Sequence, residues 1–386
     1  MNISVNLKSH RLEWALKAAG IEDPATVSRL IVSGLLTDND IMYIREKMGT
    51  TLRELDMSGA SFVNNTIRWS AFEECIGLTS VIIPDSVTAI GHGAFSGCTG
   101  LTAFNFPASV ICIDIHDRYC TLFSDCTALT DITVHPDNPE FASENGVLFN
   151  KNKTKLIEYP QARQGDYVIP DTTVEIGHGA FFNCTGLTSV IIPSSVSKIE
   201  GWAFRGCTKL TSVFIPSSVT EISRYNSKAF EDCIGILSFE VHPDNLKYSS
   251  KDGVLFNKCK TELIEYPAGR QGDYVIPKSV KTICGYAFSG CTGLTSVTIP
   301  NSVTFIGFIA FLGCIGLTSV FIPESVEEIC DVAFLQCTGL SAIAVHPDNP
   351  FYESVNGKLK KKIRNDHISN PNARTPIRAG IESGRS

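Results

Sequence analysis

The stretch AFSGCTGLTSVTIPNSVTFIG, residues 287–307, decides how this chain is read. Its first part, close to A-F-x-x-C-x-x-L-T-x-V-x-I-P, recurs nine times, with the aromatic at Phe72, Phe95, Phe123, Phe181, Phe204, Phe230, Phe288, Phe311 and Phe334. The shortest spacing is 23 residues, as from Phe288 to Phe311 and from Phe311 to Phe334. A unit this short cannot bury its own apolar face, so copies must stack and share a core. The expected architecture is a solenoid, and stacked repeats of this kind usually bind rather than transform.

Each copy reads as two extended runs. In Leu78–Pro84, Leu78, Val81 and Ile83 are expected to point inward, and Pro84, which has no N–H to donate, ends the strand. Val87 and Ile90 would line the opposite wall and Phe95 would plug the core. Gly91, shared as Gly177 and Gly307, is expected to supply a positive φ in a tight turn.

Two wider gaps of equal length, Phe123 to Phe181 and Phe230 to Phe288, carry the same insert. It runs from His135 to Pro170 and again from His242 to Pro277. The step from His135 to His242 equals that from Phe181 to Phe288, so a larger unit repeats as well. A third copy begins at His346 and drifts at Gly357. The insert reads as an extra coil plus a short strand, with its register left open.

The N-terminal region, 1–58, is different. Ser9–Gly20 places Leu12, Ala15, Leu16 and Ala19 at helical spacing, with Gly20 as a C′ residue. Val27–Gly34 and Leu52–Gly59 read as strands, and Asp38 or Asp40 would cap a helix carrying Ile41, Ile44 and Met48. Together these form a helix and two longer coils, an atypical end unit of the kind that covers a solenoid's exposed face. Repeats fill 59–357. The segment 358–386 reads as a polar tail, poorly ordered beyond Lys362.

Composition narrows the function. The 386 residues are 43% hydrophobic with net charge −7, which fits a folded chain and disfavours nucleic acid or an anionic membrane as main partner. No run of about 18 apolar residues occurs, so no membrane insertion is expected. Met1–His10 lacks the apolar core of a signal peptide. That leaves a cytoplasmic protein or one whose signal has been removed.

Nine of the 14 cysteines follow the repeat Phe by three residues. Stacked equivalents have parallel Cβ vectors about 4.8 Å apart, unlike the facing Cβ atoms of a disulfide. They are read as buried thiols acting as small hydrophobes. No CxxC pair supports zinc.

At this point AFSGCTGLTSVTIPNSVTFIG resembles the BspA-type leucine-rich repeat. The HPDNP…GVLFNK…LIEYP insert is similar to the interruptions of that family. Residues 27–60 resemble the N-terminal cap of such proteins from Bacteroidetes. The resemblance spans roughly residues 27–357. It implies an α/β, mostly β, right-handed leucine-rich-repeat solenoid with a helix-containing N-terminal cap. It also implies a secreted or surface protein with roles in adhesion to host matrix proteins or cells; a cytoplasmic location is the alternative.

No catalytic motif stands out. Gly91-His92-Gly93 and its copy Gly177-His178-Gly179 fall short of G-x-G-x-x-G. His135, His242 and His346 each precede Pro-Asp and could ligate a metal, but Pro-Asp-Asn-Pro is turn chemistry. The reading is therefore no enzyme, no cofactor and no metal. The candidate site is the outward face of the main strands. One column holds Thr188, Thr211, Thr295 and Thr318; another holds Ile82, Ile191, Phe214 and Phe321. Nothing in the core needs Phe214 and Phe321 to be aromatic if they face out, so they are candidate anchors for a partner. Hydroxyls in the first column also suit plain cross-strand contact. The expected partner is a protein or glycan, host extracellular matrix included; the alternative is a structural spacer without a ligand.

Overall fold

The computed structural model describes residues 1–7, 11–113, 121–224 and 228–362. The expected polar tail beyond Lys362, and Cys120, lie outside the described residues. The chain is a mostly β solenoid of about 14 turns with few helices. Each full turn carries two strands. A main strand such as Ser319–Ile322 pairs in parallel with Ala342–Val345, residue on residue. A two-residue strand on the other wall, such as Lys198–Ile199, pairs with Glu175–Ile176 and Glu221–Ile222. Registered parallel stacking puts each repeat position over its copies, so the sequence columns become ladders in space.

The Phe ladder is the core. Phe181, Phe204 and Phe230 stack with centroids 4.8 and 5.3 Å apart and planes within 9°. Phe288, Phe311 and Phe334 also stack, at 4.7 and 5.1 Å with planes within 13°. The Cys ladder does more than fill space. Cys98, Cys126, Cys207, Cys233, Cys314 and Cys337 each donate an S–H to the carbonyl of the preceding coil's Phe, at 2.9–3.2 Å. Each of these carbonyls also accepts the backbone N–H of its own coil's Cys, as Phe72 O does from Cys75 N, so the thiol supplies a second hydrogen bond that a small apolar residue would not. Burial pushes the Cys75 thiol up to about 12, and all described cysteines are free thiols.

The glycine expectation needs correcting. Gly91, Gly177 and Gly307 do not take positive φ; they are short of space. A Cβ at Gly91 would lie 2.3 Å from Trp69 N, and one at Gly307 2.4 Å from Gly285 N. Left-handed backbone falls elsewhere, two residues before the repeat Phe in six copies (Ser70, Gly93, Gly179, Trp202, Tyr286 and Ile309) and at the residue two after it. There Gly97, Gly206, Gly290 and Gly313 alternate with Glu74, Asp125, Asn183, Asp232 and Gln336.

The inserts resolve into a hairpin and an abbreviated turn. Phe141–Glu144 pairs antiparallel with Val147–Asn150. Lys155–Glu158 then joins the second wall in parallel with Glu175–Ile176. Tyr159 takes the place of the repeat Phe: its N–H donates to Ala180 O, and its ring lies 5.0 Å from Phe181. Tyr266 repeats this on Phe288 at 5.1 Å. Gly165–Val168 and Gly272–Val275 then enter the main stack beside Leu187–Ile191 and Leu294–Thr298. The third copy forms its hairpin too, as Tyr352–Val355 with Lys358–Lys361, although the latter begins the segment read as tail.

At the N-terminal end, Asn2–Leu7 forms a strand parallel to Arg29–Leu36, which in turn pairs with Glu54–Phe62. This first strand was not foreseen, although Ile3, Val5 and Leu7 alternate as a strand should. Helices α1 (Leu12–Ala18) and α2 (Asp38–Met48) follow as expected in kind. The N-cap of α2 is Thr37 rather than an Asp. Asp40 is buried and accepts from Thr37 N and Oγ1 and from Leu12 N, tying the two helices together.

Candidate binding surface

The outward residues of the main strands form one continuous face, because side chains alternate across a strand. Val213 and Ile215 are buried beneath it, while Phe214 between them is 45% exposed. Phe321 is 48% exposed above buried Val320 and Ile322. Ile82 and Ile191 are also exposed. Each Phe leans edge-on against the His that opens the next hairpin: Phe214 on His242 at 6.3 Å and Phe321 on His346 at 6.2 Å. The inserts thus brace the two rings without covering them.

Two residues missed from the sequence extend this column. Val168 pairs in register with Ile191, and Val275 with Thr298. They are 61% and 68% exposed. The apolar strip Val168, Ile191 and Phe214 is therefore partly duplicated in the next large unit by Val275 and Phe321, with Thr298 in place of the Ile. The missed signal was Gly-Asp-Tyr-Val-Ile-Pro itself: its Val sits two before Pro, as Ile191 does, but the open register hid the match.

The threonine column has largely local work. Thr188 and Thr295 donate to Asp166 and Asp273 at 2.7 Å. Thr211 O accepts from Leu237 N, and Thr318 O accepts from both N and Oγ of Ser341. All four are exposed. The hydrogen bonds from Thr295 and Ser296 hold the Asp273 carboxyl below its ordinary range.

The His-Pro-Asp turns are built around the following Asn. Asn245 is fully buried; its Nδ2 donates to Pro216 O and Val219 O, and its Oδ1 accepts from Lys247 N and Tyr248 N. Asn138 and Asn349 bond in the same way. In all three copies His Nδ1 accepts from the Asp N–H at 3.2 Å. Among the described residues, Glu324, His346 and Asp348 could bring three ligand atoms within 4.8 Å. His346 Nδ1 is already engaged in the turn there.

A buried carboxyl lies away from this face. Glu158 accepts from Thr121 Oγ1 at 3.0 Å, and burial pushes its carboxyl up to about 8. At the same place in the next large unit, Glu265 faces Lys228 at 2.9 Å. The second unit thus has a buried ion pair where the first has a hydroxyl and an acid.

The family follows from the repeats. The model for the BspA type leucine-rich repeat region matches residues 65–164, 159–272 and 270–353, as six copies. The chain belongs to this family. Among solved structures, this BspA-type repeat protein is similar to a leucine-rich repeat protein of Eubacterium ventriosum, at 22% identity over 79% of this chain and 88% of that one, with a TM-score of 0.48. It is also similar to a leucine rich cell surface protein of Faecalibacterium prausnitzii, at 25% identity over 81% of this chain and 83% of that one, TM-score 0.44. A leucine-rich repeat protein of Bacteroides ovatus aligns at 22% identity over 86% of this chain and 76% of that one, TM-score 0.39. No curated protein matches the chain. Among the described residues, no helix is long and apolar enough to cross a membrane.

Proposed function

We propose that this chain is a non-catalytic binding protein, secreted or held at a cell surface, that holds a host protein or glycan on its strand face. The observation that supports the reading is the exposed column Val168, Ile191, Phe214, Val275 and Phe321. The core beneath is complete without these side chains, and exposed apolar side chains grouped on one face, with Val168, Ile191 and Phe214 on consecutive coils, mark a contact surface. Family membership supports a protein-binding role, and secretion and adhesion are what the family resemblance implies.

The test is binding of the purified chain to immobilised fibronectin, fibrinogen, mucin and glycans, with Phe214→Ala/Phe321→Ala alongside. The expected outcome is saturable binding to one target, weakened about tenfold or more in the variant, with the thermal midpoint little changed. Equal affinity in the variant overturns the site. Binding to nothing in the panel favours a spacer role.

A further inference from the structure

Apart from Arg29, which sits opposite Glu54 and pairs with it at 3.2 Å, the charges on the strand face are of one sign. In the main strands from Glu54–Phe62 to Ala342–Val345, the charged side chains are Glu54, Asp56, Asp131, Asp166, Glu240 and Asp273; these strands hold no Lys or Arg. Their placement follows the apolar residues. Asp56 lies directly opposite Ile82, and Glu240 directly opposite Phe214. Asp166 and Asp273 lie two residues before Val168 and Val275, on the same side of their strands.

Basic groups stand at the strand entrances, but three are turned back onto the protein. Arg53 donates to Gly77 O, Arg270 donates to Leu237 O, and Arg163 lies over the Tyr159 ring. Lys209 is the fourth. At the exits, Asp85, Asp171 and Glu324 outnumber Lys278. The contrast runs through the whole chain. Residues 358–386 hold eight Lys or Arg against two Asp or Glu, so residues 1–357 hold 25 basic against 38 acidic side chains.

Building on the proposed binding role, we infer that the strand face takes a protein segment that presents apolar and basic side chains together on one side. Apolar side chains would seat on Phe214, Ile191 and Val168, and again on Phe321 and Val275, while Lys or Arg meets Glu240, Asp166 and Asp273. Complementary charge of this kind raises the association rate and rejects wrong partners. Sulfated and sialylated glycans are among those rejected, since their anions meet carboxylates.

The probe is a synthetic peptide of three Leu-Ser-Lys-Ser repeats, which in extended form puts Leu and Lys on one side. One control replaces Lys by Glu and another replaces Leu by Ser. The expected result is saturable binding of the Leu/Lys peptide alone, weakening steeply with salt. Asp166→Asn/Glu240→Gln/Asp273→Asn should lower its affinity about tenfold and flatten the salt dependence; Phe214→Ala/Phe321→Ala should lower it as well. No binding of the Leu/Lys peptide overturns the inference, as does equal binding of the Leu/Glu peptide. Equal binding of the Ser/Lys peptide shows charge attraction without the strip and also overturns it. Should the Leu/Lys peptide fail while a panel protein still binds through Phe214 and Phe321, the strand-face reading stands and only the partner's charge is wrong.

Discussion

Single residues in this chain take their meaning from their column, and Glu158 shows it best. In the Tyr159 register it occupies the place of the small repeat Ala, a position buried in every copy. Glu265 shares that place but has Lys228 beside it, whereas Glu158 has Thr121. The folded protein therefore holds a proton on Glu158 up to about pH 8, while the unfolded chain releases it near 4.5. The native state binds the extra proton, so this group's contribution to stability falls as pH rises through that window. Glu158→Gln, which keeps the shape and cannot ionise, should match the wild type near pH 5 and exceed it near pH 8.5. Thermal midpoints of both proteins at the two pH values check this; parallel curves would mean that Glu158 is hydrated.

At the scale of elements, the hairpins hang on buried asparagines. Asn245 joins the turn Pro216–Val219 of one coil to the start of the strand Tyr248–Lys251. Asn245→Ala removes four hydrogen bonds and strands buried carbonyl and amide groups, each costing on the order of 1–3 kcal/mol when unsatisfied. The expected loss is at least about 2 kcal/mol in a denaturant titration, and Asn245→Asp should not restore it, because a carboxylate cannot donate to the two carbonyls. A change within about 0.5 kcal/mol, typical of surface sites, would mean that water replaces the amide. The Asn closes a His-Pro-Asp-Asn phrase whose turn character was plain in sequence. Its burial was not, because the acceptors come from the preceding coil.

Across the whole molecule, the apolar core falls into two clusters. One runs from Val5 to Leu148 and the other from Val147 to Tyr352, with the first hairpin at the joint. The Phe ladder is interrupted there, and the joint is lined by Thr121, Leu122, Leu148, Lys155 and Glu158 around a small cavity. Solenoid stability is close to a sum of repeat and nearest-neighbour terms, so a weak interface lets the two sides unfold separately. Unfolding followed by fluorescence of Trp14 and Trp69 on one side and Trp202 on the other, each in a variant lacking the remaining tryptophans, should show two midpoints. Coincident transitions would mean that the stack unfolds as one unit.

The sequence by itself determined the repeat, the inward columns, the buried thiols and the outward place of Ile82, Ile191, Phe214 and Phe321. These follow from periodicity, since in a registered stack one residue's neighbours are its own copies. Only the tertiary structure decided the rest. It showed that Gly91 and Gly307 are needed for close backbone approach, that the cysteines donate to Phe carbonyls, and that Val168 and Val275 extend the apolar strip. It also set Glu240 against Phe214 and Thr121 against Glu158. Each of these depends on which atoms of a neighbouring coil come within a few ångströms, and a pattern along one chain carries no distance across it.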